Sequence, residues 1–328
     1  MTRLPRASRA SVFSLAVFAL TTIACASTGS RPSNNPPELE QYTVWHDFQE
    51  RTYYILEPPG LTGPVPLVVS LHGGGGNGPQ TCSMEGGIQE LAEREGFVVA
   101  CPEGVENHWN DGRKTDRYRA HREDIDDVGF LTTMIFEISE DYDIDLDHLY
   151  ITGASNGGMM SLRMACEAGH LVTAVGAVIA SLPADLRCDP TGPVSVLIMN
   201  GTEDPLVPYE GGQVRFLRQE LGEVIHTREA FGTFVNRSKC SGPPEVVWLP
   251  DLDPNDGTIT YRETFEDCLD GKAIYTIYTI EGGGHTMPGG AQYSPKYLIG
   301  RVSRDFSGAE AIWDFFERAP PSGQQYLP

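Results

Sequence analysis

Three short stretches of this chain hold residue types that could do chemistry together. Gly153-Ala154-Ser155-Asn156-Gly157 fits the pattern G-x-S-x-G. In that pattern a serine sits on a sharp strand-to-helix turn and needs small neighbours, because its own backbone is strained. A serine hydroxyl is a weak nucleophile until a base removes its proton, so the pattern gains meaning only if an acid and a histidine follow. Gly201-Thr202-Glu203-Asp204-Pro205 comes at the end of an apolar run, and Glu281-Gly282-Gly283-Gly284-His285 at the end of another. Asp204 is the expected acid, with the adjacent Glu203 as its rival. His285 is the expected base, on a loop with room for its ring to reach the serine. The order serine, acid, histidine is the one that acyl-transfer chemistry uses on α/β-hydrolase folds.

Such chemistry also needs two N–H groups aimed at the oxyanion. One is expected from Asn156, the residue after the serine. The other is expected in His72-Gly73-Gly74-Gly75-Gly76-Asn77, where glycines let the backbone approach a tetrahedral intermediate closely. Gly74 is the first choice and Gly75 the rival. A phosphate cradle is the competing use of a glycine-rich loop, but the G-K-[ST] ending is missing. His72, Trp109 and Met287 are expected to line the substrate cleft.

Elements able to hold these loops can be read from the apolar pattern. Residues 41–48 and 51–57 alternate and predict an opening hairpin. The continuous apolar runs 65–71, 96–100, 148–153, 172–180, 194–200 and 273–280 predict strands buried on both faces. Helical spacing covers 83–95, 126–139, 156–165 and 307–316. Strands alternating with helices imply an α/β fold, a mostly parallel sheet with helices on both faces. Residues 245–266 read as an added hairpin around Asn255-Asp256-Gly257. Asp251, Asp253, Asn255 and Asp256 resemble the start of a calcium loop, but Gly257 falls one place late, so no metal is expected. Asp141, Asp143, Asp145 and Asp147 read as a solvated acidic face.

With these pieces in view the chain resembles the polyhydroxybutyrate depolymerase and feruloyl esterase group, allied to carbohydrate esterase family one. The resemblance is carried by LHGGGGN (71–77), DDVGFL (126–131), ITGASNGGMMS (151–161), NGTEDPLVPYEGG (200–212), GGGHTMPGG (282–290) and AIWDFF (311–316). It implies an α/β-hydrolase fold, a Ser155–Asp204–His285 triad, no cofactor, and an ester substrate, either a polyester or an ester linked to plant polysaccharide. Many members carry Trp where this chain has Met287, a ring that would wall the cleft. The alternatives are an acyltransferase on the same fold and a non-catalytic, glycan-binding surface lipoprotein.

Composition bounds the rest. The 328 residues carry 24 Lys+Arg against 45 Asp+Glu, a net charge of -21, which argues against nucleic-acid binding. Arg3, Arg6 and Arg9 followed by an apolar stretch to Ala24 read as an export signal over 1–26. Cleavage after Ala26 competes with lipidation of Cys25, which would attach the protein to a membrane. Residues 27–40 then form a flexible linker and 41–320 the catalytic domain, expected to be a monomer. Export leads to an oxidising compartment, where disulfides form. Cys82, Cys101, Cys166, Cys188, Cys240 and Cys268 allow fifteen pairings, the simplest of which joins sequence neighbours. The family resemblance also supports Cys240–Cys268.

Overall fold

The computed structural model describes residues 39–83, 87–269 and 271–321. The export signal, Cys25 and residues 27–38 of the linker lie outside them. All described residues fall in one compact unit.

The hairpin of β1 (Leu39–His46) and β2 (Gln49–Leu56) leads to β3 (Val65–Leu71). Next come α1 (Gly78–Cys82), α2 (Ile88–Glu95), β4 (Val98–Pro102), α3 (Arg119–Arg122) and α4 (Asp127–Asp141). The middle of the chain alternates β5 (Ile144–Ala154), α5 (Asn156–Glu167), β6 (Ala174–Val178) and β7 (Ser195–Gly201). A small hairpin, β8 (Gly212–Phe216) and β9 (Gln219–Val224), precedes α6 (Thr227–Val235). Then β10 (Glu245–Trp248), β11 (Ile259–Cys268), β12 (Ala273–Glu281), α7 (Lys296–Ile299) and α8 (Gly308–Arg318) complete the described elements.

Ten strands form one sheet in the order β1-β2-β4-β3-β5-β6-β7-β12-β11-β10. The six from β4 to β12 run parallel, and the two strands at each edge are antiparallel. The apolar runs form central strands because both of their faces are covered. On β3, Leu67 and Val69 pack into the core beneath α4, α5 and α6, while Val68 packs into the core beneath α2 and α8. Each such fully buried side chain contributes about 1.5–3 kcal/mol. Helix starts follow the capping chemistry of the sequence. Asp126 accepts the Gly129 N–H at 2.9 Å to open α4, and Ser307 accepts the Glu310 N–H at 3.3 Å to open α8.

Several expectations shift. Among the described residues of the helical stretch 83–95, the helix runs over Ile88–Glu95, preceded in the chain by the separate α1. The segment 245–266 forms the expected hairpin, β10 pairing antiparallel with β11, and β11 also pairs with β12, which joins the hairpin to the main sheet. Asp256 is buried, accepting N–H and O–H from Thr258 and the Arg304 N–H. The acidic run is only half solvated: β5 begins at Ile144, and Asp145 and Asp147 are half-buried in it. The neighbour pairing of cysteines is the one formed: Cys82–Cys101, Cys166–Cys188 and Cys240–Cys268. Three disulfides suit an oxidising, extracellular compartment. No helix among the described residues is long and apolar enough to cross a membrane.

Candidate active site

Ser155 joins the end of β5 to the start of α5 with φ 56° and ψ -120°. A non-glycine residue holds such a conformation at a cost of about 1–3 kcal/mol and only when its surroundings enforce it. Here the Ser155 N–H donates to the Val178 carbonyl at 2.9 Å, and its carbonyl accepts the Met159 N–H at 2.8 Å. The flanking glycines are steric necessities. A Cβ on Gly153 would come within 2.5 Å of the Gly157 carbonyl carbon, and a Cβ on Gly157 would collide with the carbonyls of Leu71 and His72.

The two expected oxyanion donors lie side by side. A Cβ built on Gly74 would stand 3.7 Å from that of Asn156. The rival Gly75 is excluded as a donor, because its N–H already bonds the Asn107 carbonyl at 2.8 Å. The N–H groups of Gly74 and Asn156 have no acceptor among the described residues.

Sequence reasoning missed the structure that holds Asn156. Its side-chain oxygen accepts the Trp109 N–H at 2.8 Å, and its amide donates to the Trp109 carbonyl at 3.0 Å and to Asp111 Oδ2 at 2.6 Å. Asp111 is fully buried and also binds the Arg113 guanidinium at 2.7 Å and His121 Nε2 at 3.0 Å. Burial alone would raise the Asp111 pKa, but the Arg113 charge and the His121 bond outweigh it and hold the carboxyl far below its ordinary range. The same loop is tied to α4 by the Asn110 N–H, which donates to Asp127 at 2.7 Å. The available signal was the run Trp109-Asn110-Asp111-Gly112-Arg113, whose charges look like surface charges in a sequence.

On the other side, His285 Nδ1 lies 2.7 Å from Asp204 Oδ2, and both side chains are buried. Asp204 Oδ1 accepts the N–H groups of Leu206 and Val207 at 2.8 and 2.9 Å. Glu203 points elsewhere, pairing with Arg301 at 2.7 Å on the surface, so the choice between the two acids falls to Asp204. A Cβ on Gly201 would collide with Gly283, and one on Gly284 with Ile299 and Gly300. The glycines thus let the histidine loop lie flat against the acid loop.

Ser155, Asp204 and His285 follow β5, β7 and β12, whose parallel run β5-β6-β7-β12 puts all three beyond the carboxyl ends of the strands. Those ends are where open α/β sheets bind ligands. Ser155 Oγ and His285 Nε2 have no hydrogen-bond partner among the described residues. Unliganded sites often leave this bond long until substrate arrives.

No family model matches the chain. The putative esterase NocK of Nocardia uniformis subsp. tsuyamanensis is 32% identical over 267 residues, covering 78% of this chain and 75% of that protein. A probable feruloyl esterase C of Aspergillus niger is 26% identical over 312 residues, covering 93% of this chain and 96% of that protein. The chain belongs to the same esterase family as NocK and has an α/β-hydrolase fold. It is a carboxylic ester hydrolase. A solved acetyl xylan esterase from Aspergillus awamori shares the fold, with a TM-score of 0.55 at 16% identity, over 86% of this chain and 100% of that one.

Within this esterase, two residues expected at the cleft lie beneath it instead. Trp109 is fully buried, and its indole N–H donates to the His72 carbonyl at 3.0 Å. His72 is 2% exposed, bonded through Nδ1 to the Gly73 carbonyl and through Nε2 to the Gly104 N–H. Both rings brace the glycine loop from below. Burial pushes the His72 pKa down to about 4, which keeps the ring neutral. Met287 is half-buried and packs back toward Gly308 at the start of α8. A hollow of about 840 Å³ opens beside the Asp111 cluster, lined by Arg113, His121, Arg163 and the β8–β9 hairpin. None of Ser155, Asp204 and His285 lines it.

Proposed function

We propose that this esterase is an exported serine hydrolase that cleaves esters attached to plant polysaccharide through an acyl-enzyme on Ser155. The observation that carries the reading is the buried Asp204–His285 pair, at 2.7 Å, at the same carboxyl end of the parallel strands as a serine in the strained turn conformation. His285 takes the proton as Ser155 attacks the carbonyl. Asp204 keeps Nδ1 protonated and Nε2 facing the reaction, and stabilises the imidazolium that forms. The N–H groups of Gly74 and Asn156 receive the oxyanion, each worth about 3–4 kcal/mol. His285 then protonates the leaving alcohol, and a water activated by the same ring releases the acid. The polysaccharide substrate class is supported by the relatives named feruloyl esterase and by the net charge of -21, which favours neutral esters over polyanions. Export is supported by the basic and apolar start of the sequence and by the three disulfides.

A panel of methyl ferulate, acetylated xylan, p-nitrophenyl esters of rising chain length and a polyhydroxybutyrate suspension tests the reading. Turnover of methyl ferulate or acetylated xylan above that of the polyester is expected. Polyester hydrolysis with no action on either plant ester would overturn the substrate assignment.

A further inference from the structure

Met287 turns toward α8, so the side of the site next to His285 needs another wall. The loop between His285 and α7 supplies a candidate. Tyr293 donates its hydroxyl to the His285 carbonyl at 2.9 Å, while the residue is 63% exposed. The loop around it is pinned. Gln292 Nε2 donates to the carbonyls of Ser294 and Gly300 at 2.9 and 3.0 Å, and the His285 N–H donates to Ile299 at 2.5 Å. The Tyr293 pKa is pushed up to about 12, by burial of its hydroxyl first and by the nearby Asp204 charge second. The O–H therefore stays a donor across the working range of an esterase. Trp109 and His72 are buried under the glycine loop, and the half-buried His108 ring stacks on Tyr118 beside Gly74 rather than on the His285 loop.

We propose that Tyr293 is a specificity-determining residue whose exposed ring forms the wall against which a planar aromatic group of the ester stacks. This rests on the Ser155–Asp204–His285 reading, since a substrate held between Ser155 and His285 brings its substituents beside the histidine loop. A ring already fixed by its own hydroxyl loses little rotamer freedom when it is covered. Its preference for an aromatic partner over an aliphatic one is about three- to tenfold. The aromatic group can stand on either side of the ester bond, as the acid or as the alcohol.

Two pairs of substrates separate those sides: ethyl cinnamate against ethyl hexanoate, and benzyl acetate against hexyl acetate. The quantity read is the aromatic-to-aliphatic ratio of kcat/KM, in which any general damage to a variant cancels. In Tyr293→Leu the ratio falls about three- to tenfold in one pair, through KM of the aromatic ester. Tyr293→Phe, which keeps the ring and loses the bond to His285, holds the wild-type ratio. Tyr297→Ala, an exposed ring four residues on, also holds it. An unchanged ratio in both pairs for Tyr293→Leu would overturn the proposal. So would an equal fall of all four esters in both Tyr293 variants, which would make the ring a mere support for His285. Failure of the triad itself registers separately, as residual turnover of these esters by Ser155→Ala.

Discussion

The two halves of the site are held by different physics. On the nucleophile side, the loop after β4 is locked to Asn156 by buried charge: Asp111 contacts Arg113, His121 and the Asn156 amide, all of them buried. On the acid–base side, the loops after β7 and β12 meet through glycine backbones too close for any Cβ, and their ion pair, Glu203–Arg301, is largely exposed. The first half depends on complementary charge in a low-dielectric setting, where an unpaired partner is costly. The second depends on shape. The oxyanion donor must not move as charge develops, which suits a rigid, buried network. The histidine must pass protons between serine and leaving group, which suits one strong bond at Nδ1 and a free Nε2.

The contrast can be broken most severely at the Asp204–His285 bond. Asp204→Asn keeps the shape but presents the wrong tautomer to His285, and kcat on p-nitrophenyl acetate should fall about ten-thousandfold. On the nucleophile side, Asp111→Asn leaves Arg113 buried without its counter-charge. Urea unfolding should show a loss of about 3–5 kcal/mol, large compared with any acid–base surface substitution.

A pH experiment sharpens the same point beneath the glycine loop. The His72 pKa is about 4 in the fold against an ordinary 6.5, so between those values the unfolded chain binds more protons than the folded one. Its stabilising contribution is complete above pH 6.5 and is lost as pH falls toward 4, by about 3 kcal/mol in all. Wild-type protein should therefore lose about that much more stability than His72→Gln between pH 7.5 and 4, measured by urea unfolding. Parallel curves for the two would remove His72 from the account. The smallest effect is expected at Glu203→Gln, where an exposed pair contributes at most about 1 kcal/mol. Its kcat/KM should stay within a fewfold of wild type.

The sequence made the catalytic residues of both halves legible and left the buried charges that lock the nucleophile side opaque. Ser155, Asp204 and His285 stand out because glycines and apolar strands flank them in the order that acyl transfer requires. Gly74 was separable from Gly75 only once the Gly75 N–H was seen to be engaged with Asn107. Asp111, Arg113 and His121 carry no such flag, since a buried ion cluster and a solvated one have the same composition. Trp109 and His72 were expected at the cleft because their loops follow the carboxyl ends of strands, but which way a ring turns is decided by packing. The parallel strands were readable because burial on both faces leaves an unbroken apolar run. The β8–β9 hairpin was not, because buried and exposed residues are mixed along it with no continuous apolar run.

The central claim is that Ser155 is acylated during turnover. Intact-mass and peptide analysis after treatment with a fluorophosphonate ester tests it directly. A single adduct on Ser155 is predicted, absent in Ser155→Ala, together with a fall in that variant's kcat on p-nitrophenyl acetate of about a millionfold. An adduct on another residue, or a Ser155→Ala enzyme that still turns over substrate at the wild-type rate, would contradict the account.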